Sequence, residues 1–400
     1  MTLAGKKIGR VLSLDAMRGG AALVVVLYHA LGVAPLTAAG GWQWWLPVVT
    51  AYLVHFGYAG VYLFFVISGF CIHLHWARGR ANGVESPQVP FLPFWKRRVR
   101  RLYPPYLAAL VLYLAHSAYV SHVEVNGAYL WDALLHLLMI HNLDPRTTYT
   151  INGAFWTLAI EEQLYLAYFL LLALRVRHGW ARTLFVCAAA RVGWLLLGRS
   201  LGYFAGVEIP VSEAAATSWI IWALGALGVE AALGVTRLPA WCYRLRYSFA
   251  SLLTAMGLAL GLPYVEHRVW LHDAGWLLMH PAWGVGFFVL VNYAVLKEQA
   301  WRRAASRAPR GVRWLAPVGL ISYSLYLTHL LVLMKWYWFG FTRLHILTVT
   351  LLIMTPLAVL LAWGYYRLFE RPFMTTRKRA PSPAPHAPPV AAQPELSSAQ

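Results

Sequence analysis

Apolar residues run along this chain in blocks of about 20, each closed by a short polar stretch. A block of that length crosses a bilayer core as an α-helix, whereas the alternating ten-residue pattern of a membrane barrel is missing. The pattern predicts an all-α, polytopic membrane helix bundle of about ten transmembrane helices. The expected spans are 11–34, 52–75, 102–122, 156–174, 183–204, 214–235, 247–264, 274–296, 315–335 and 345–367. Arg191 and Arg199 interrupt the fifth. The segment 131–142, "WDALLHLLMIHN", is too short to cross and is expected to lie along the outer surface or dip into it. A membrane domain over 1–373 is followed by a Pro/Ala-rich cytoplasmic tail over 374–400, expected to be disordered.

Composition agrees. The chain is 60% hydrophobic and only 12% charged, with a mean hydropathy of +0.54, where a soluble domain is about a quarter charged. A net charge of +19 raises nucleic acid as a partner, but the cations sit in alternate loops. They cluster before span one (Lys6, Lys7, Arg10), between two and three, four and five, six and seven, eight and nine, and after ten. That is the positive-inside pattern: both termini are expected in the cytoplasm, with the lipid bilayer rather than nucleic acid as partner. Trp42, Trp44, Trp45 and Trp131 fall in the outer loops, as an aromatic belt. Cys71, Cys187 and Cys242 show neither a disulfide framework nor zinc spacing, so no metal is expected. No small-residue cleavage site follows the first apolar stretch, which is read as a retained span.

Within the first span, Asp15, Arg18 and His29 are groups that hydrocarbon rejects, and an ionisable residue at membrane depth marks a candidate site. Arg18 and His29 are eleven residues apart, about three turns, so they share a face with ~16 Å of helix between them. Asp15, three residues before Arg18, is its expected local partner. Span four runs inward, placing Glu161 and Glu162 about 8 Å below its outer end, and span nine runs outward, placing His329 at a similar depth. His29 is expected at the same level. A lone His on an apolar helix is usually satisfied by a neighbouring carbonyl, and a lone Arg snorkels; a match across three spans argues for a site. Such a set is suited to proton transfer, a His taking a proton from a hydroxyl while a carboxylate orients it. Adjacent Glu161 and Glu162 cannot share a helix face, so one of them is structural.

The stretch "FWKRRVRRLYPPY" (94–106) puts five cations at the inner surface. It is a topology signal, or it grips a phosphorylated ligand, since guanidinium groups fork onto phosphates. Tyr103-Pro104-Pro105 is expected to begin the third span. Ser68-Gly69 is expected to let helices approach closely, and His73 and His75 are read as interfacial.

In order and spacing, "LDAMRGGAALVVVLYH", "GVYLFFVISGF", "RRVRRLYPPY", "WTLAIEEQLY", "ISYSLYLTH" and "FERP" resemble the membrane acyltransferase-3 family, bacterial O-acyltransferases, over about residues 11 to 373. The resemblance implies acyl transfer, commonly acetyl, from cytoplasmic acyl-CoA to a hydroxyl of a polysaccharide or lipid-linked sugar, in the bacterial inner membrane. It implies an essential pair at Arg18 and His29, and CoA phosphates held by Arg97, Arg98, Arg100 and Arg101. The expected catalytic set is His29, Glu161, Glu162 and His329, with Arg18 beside the donor. Direct attack and a covalent acyl-His29 relay are both open. Tyr62 stands where many members carry Asp, and Met17 where Leu is usual. No fused outer domain is expected after the tenth span. The alternatives are a small-molecule acceptor such as a macrolide, or a transporter, although no two matching halves with interrupted helices are visible.

Overall fold

The computed structural model describes residues 10–32, 55–333 and 350–374. Lys6, Lys7, the three outer tryptophans Trp42, Trp44 and Trp45, and the tail beyond Met374 lie outside the described residues. Eleven α-helices carry the described chain, with no strand among these residues. They are α1 (Leu12–Gly32), α2 (Gly60–Ala81), α3 (Phe91–Tyr119), α4 (Gly127–Leu137), α5 (Trp156–Ala205) and α6 (Ala215–Ala232). The remainder are α7 (Leu245–Gly261), α8 (Val269–Arg303), α9 (Arg310–Leu320), α10 (Ser322–Leu333) and α11 (Thr355–Tyr365).

Six described helices are long and apolar enough to cross a membrane, or seven if the bent pair α9–α10, at 72°, is one span. This multi-pass architecture differs in count from the sequence reading for identifiable reasons. The expected fourth and fifth spans are one 50-residue helix, α5, broken at Gly179, whose φ of 74° is open to glycine and strained for other residues. α1 carries Asp15, Arg18 and His29, which lower its hydropathy, and α3 carries the basic run.

Of these six, α2, α6 and α8 are the more enclosed, while α5, α7 and α11 present exposed flanks. α2 and α6 run parallel, Ser68 meeting Trp222 and His73 meeting Glu230. α6 and α8 also run parallel, since Gly284 abuts Ile221 and Gly228 abuts Asn292. Close approach follows from missing side chains, as Ser68-Gly69 suggested. A Cβ on Gly69 would lie 2.0 Å from the Trp222 carbonyl oxygen, and one on Gly225 would lie 1.9 Å from that of Val66. α1 and α9 meet the same way at Gly19 and Gly319.

Two expectations are corrected. Pro104 and Pro105 do not open a helix; they lie inside α3, which begins at Phe91, so the basic run is itself helical. Tyr323 donates to the Leu102 carbonyl at 2.9 Å and Tyr365 to that of Pro105 at 2.5 Å, tying the proline turn to α10 and α11. His73 is not interfacial but fully buried. It bonds Glu230 at 3.0 Å and Tyr168 at 3.2 Å, and Glu230 also takes Arg175 and Trp180 at 2.8 and 2.9 Å. His75 is exposed. The arginines that interrupt α5 are both accommodated. Arg191 is buried and donates to the carbonyls of Thr217, Trp276 and Leu277, and Arg199 pairs with Asp273. Segment 131–142 forms the end of α4 and a short turn at His141–Leu143.

Candidate active site

α1, α2, α3, α5 and α10 surround a cavity of about 160 Å³. Arg18 enters it from α1, Ser68 and Cys71 from α2, and Arg98 and Arg101 from α3. Thr157, Glu161 and Tyr165 line it from α5, Tyr323 and Tyr326 from α10, and Glu370 from the chain after α11. Helical spacing selects among the cations: Arg98 and Arg101 are three apart and share the inward face, while Arg97 and Arg100 are exposed. None of Arg18, Arg98 and Arg101 has an ion pair among the described residues. Arg98 instead lies over the rings of Phe94 and Tyr165, at 5.4 and 5.8 Å. Asp15, expected to partner Arg18, is paired with Arg10 at 2.5 Å. Three guanidinium groups therefore face one cavity with their charge uncompensated by an acid in contact.

Glu161 is the carboxylate on the cavity side. Glu162 is buried, with neither carboxylate oxygen bonded among the described residues. Neither acid contacts His29. The ring partner of His29 is His329, with Nε2 of His329 3.2 Å from Nδ1 of His29. Hydrogen bonding fixes the tautomers. Nδ1 of His329 faces the carbonyls of Leu325 and Tyr326 at 3.1 and 2.9 Å, so it carries the proton and leaves Nε2 as acceptor. Nδ1 of His29 faces only acceptors, Nε2 of His329 and the Val25 carbonyl at 3.0 Å, so it too is protonated. Nε2 of His29 is thereby left as an unprotonated nitrogen with no partner among the described residues. The Val25 carbonyl and Nε2 of His329 together favour this tautomer.

Tyr326 separates the histidine pair from the cavity. Its ring centroid is 5.8 Å from that of His329, and its hydroxyl donates to the Ala154 carbonyl at 2.9 Å and lies 2.5 Å from Thr157 Oγ1. Thr157 and Tyr326 thus stand where α5 and α10 approach the histidines, and Glu161 lies one turn further along α5, beside the cavity's cations.

A profile of the acyltransferase domain family matches residues 11–367. The chain belongs to the acyltransferase-3 family. Among curated proteins, O-acetyltransferase OatA of Staphylococcus aureus is 26% identical over 197 residues, covering 46% of this chain and 29% of that protein. Peptidoglycan O-acetyltransferase OatA of Listeria monocytogenes is 26% identical over 179 residues, covering 41% and 24%. The matched segments thus span less than a third of each of these relatives. No solved structure gives a significant match.

Sequence reasoning about this acyltransferase-family chain passed over several cavity residues. Tyr323 and Tyr326 precede His329 at intervals of three, a spacing that puts all three on one helix face. Glu370 belongs to the "FERP" motif and takes a 2.6 Å bond from Ser324 Oγ. Cys71 had no signal beyond its position three residues after Ser68. Among the described residues no three His, Cys, Asp or Glu side chains stand close enough to hold a metal ion.

Against the start of α5, the rings of His136 and His141 stack with centroids 3.7 Å apart, both fully buried. Burial, and then the neighbouring His136 ring, push His141 down to about 3 from 6.5. A histidine buried neutral contributes stability that is full above its unfolded value and is lost as pH falls toward the folded one. Acidification from pH 7 to 5 is therefore expected to lower the protection factors of amides across residues 139–155, after the pH dependence of intrinsic exchange is divided out. His141→Phe is expected to remove that dependence; an unchanged pH profile in the variant would assign it elsewhere.

Proposed function

We propose that this chain moves an acyl group, acetyl by preference, from cytoplasmic acyl-CoA to a hydroxyl of a carbohydrate: a cell-surface polysaccharide or a lipid-linked sugar. It works as a ten-span protein of the bacterial inner membrane with both termini in the cytoplasm. The observation that carries the reading is the cavity into which Arg18, Arg98 and Arg101 all project, three cations beside Glu161 and Glu370 with no direct ion pair among the described residues, next to a histidine pair with a nitrogen left unprotonated. Planar guanidinium groups suit the phosphates of CoA, and Val61, Phe64 and Phe65 give the cavity apolar wall against which a pantetheine arm packs. The relatives named as O-acetyltransferases support acetyl as the group and an envelope glycan as the acceptor.

In this mechanism Nε2 of His29 takes the proton of an acceptor hydroxyl as its oxygen attacks the thioester carbonyl. The new C–O bond forms, the C–S bond breaks, and the proton passes from His29 to the departing CoA sulfur. Nδ1–H of His29 stays bonded to His329, which stabilises the transient imidazolium. Glu161 sits with Arg18 in the donor cavity rather than at the histidine.

The test uses membranes holding the full chain, radiolabelled acetyl-CoA and extraction of envelope glycan. The double substitution Arg98→Gln/Arg101→Gln is expected to raise the KM for acetyl-CoA about tenfold or more while kcat changes less, since each lost phosphate contact is charge-assisted. An unchanged KM removes the cavity from donor binding.

A further inference from the structure

A cleft opens between the second half of α5 and the first turns of α8. On its rim Tyr203 and Phe204 are 84% and 83% exposed, their rings edge to face at 4.9 Å. Across from them Asp273 takes Arg199 Nε at 3.0 Å and lies 3.6 Å from His272. Trp276, nearly buried, forms the floor, with Nε1 donating to Ser212 Oγ at 2.9 Å. Exposed ring faces beside a planar carboxylate–guanidinium pair make a surface that is half apolar and half rich in fixed donors and acceptors.

This cleft is joined to the proposed base. From Trp276 a file of rings runs to His280 (5.2 Å), Tyr62 (5.3 Å), Tyr58 (6.5 Å), Tyr28 (6.0 Å) and His29 (5.1 Å). Trp276 stands one turn before His280 on α8, as Tyr58 stands one turn before Tyr62 at the head of α2. Both helices run parallel to α6, so the file returns to its starting depth, and the cleft opens at the end of the bundle that holds His29. Tyr62 links the α8 rings to those of α2.

We propose that the cleft is the docking site for the acceptor glycan, resting on the carbohydrate-acceptor reading above. Pyranose rings present C–H faces that stack on aromatic side chains and equatorial hydroxyls that a carboxylate–guanidinium pair bonds in fixed directions. The buried rings of Trp276, His280 and Tyr62 stand between the cleft and His29, so a single sugar docked in the cleft does not itself meet His29. The occupant is therefore an oligosaccharide run, held at Tyr203, Phe204 and Asp273 while another of its residues is presented to His29. A bilayer anchor would need the rings but not the Asp273–Arg199 pair beside them.

The experiment uses the full chain in nanodiscs and a β-1,4-linked N-acetylglucosamine tetramer as probe, titrated by tryptophan fluorescence. Tyr203 and Phe204 are exposed, so replacing them leaves packing intact. The wild type is expected to bind saturably. Tyr203→Ala/Phe204→Ala and, separately, Asp273→Asn are expected to weaken binding about tenfold or more, with acetyl-CoA binding unchanged. A wild type that does not bind the tetramer overturns the proposal, as do variants that bind it equally well. A double variant that loses bilayer insertion but keeps tetramer binding makes the rings anchors and also overturns it. If the tetramer binds through the cleft but no label leaves acetyl-CoA, the acyl-transfer reading fails and the docking site stands. If label moves but the variants bind and react as wild type does, the docking site fails and the acyl-transfer reading stands.

Discussion

Replacing His29 with Asn is expected to lower acyl transfer about 10²- to 10⁴-fold, the range for loss of a general base. Asn keeps a donor directed at Nε2 of His329, so the buried acceptor there stays satisfied, while no side-chain nitrogen able to take a proton remains. The measurement is label transferred from acetyl-CoA to extracted glycan, at matched amounts of folded protein. His329→Ala is expected to fall less far, because the carbonyl of Val25 still holds Nδ1 of His29 as a donor. A His29→Asn variant that works at the wild-type rate would make the histidine pair a packing feature and remove the base from the mechanism.

The second large effect concerns stability. Gly225→Ala is expected to destabilise the chain by more than about 3 kcal/mol, beyond the usual cost of overpacking, because the new Cβ meets backbone rather than a side chain that can turn away. It would sit 1.9 Å from the Val66 oxygen and 2.9 Å from the Phe70 nitrogen, forcing α2 and α6 apart along their shared length. Gly69→Ala, 2.0 Å from the Trp222 oxygen, should behave alike. Gly364→Ala, with nothing within 4 Å, is the control and should not lower the melting temperature. Thermal unfolding in detergent, followed by size exclusion, separates these outcomes; equal melting of the Gly225 and Gly364 variants would refute the packing argument.

Hydropathy made the helical, multi-pass architecture legible, because a bilayer demands long apolar runs whatever the partners. It misjudged the elements whose character comes from contacts. α1 is enclosed by α2, α9 and α10, so it tolerates Asp15, Arg18 and His29, which lower its apparent hydropathy. Arg191 looked like an interruption, yet three backbone carbonyls of α6 and α8 receive it. At the site, helical spacing and depth put His29 and His329 at one level, and their ring nitrogens lie 3.2 Å apart. Depth alone could not distinguish an acid at the histidines from one a turn away, and Glu161 is the latter. That Arg98 and Arg101 turn inward while Arg97 and Arg100 do not was readable from their spacing only once α3 was known to begin at Phe91.

One contact bears on how the protein is assembled. Glu298, on α8, caps the first turn of α1, accepting from the backbone N–H of Leu12 at 3.0 Å and of Ser13 at 2.7 Å. The partners are separated by 286 and 285 residues, and Arg302 closes the latch on the Arg10 carbonyl. Loops of that length close late, and the ribosome must already have delivered α8 before the cap exists. The helix that carries both Arg18 and His29 is therefore synthesised well before α8 and is fixed in place only after it. A nascent chain still short of Glu298 carries Arg18 and His29 but lacks both this anchor and His329, so the height of α1 and the ring partner of its histidine are set only once α8 and α10 have been made.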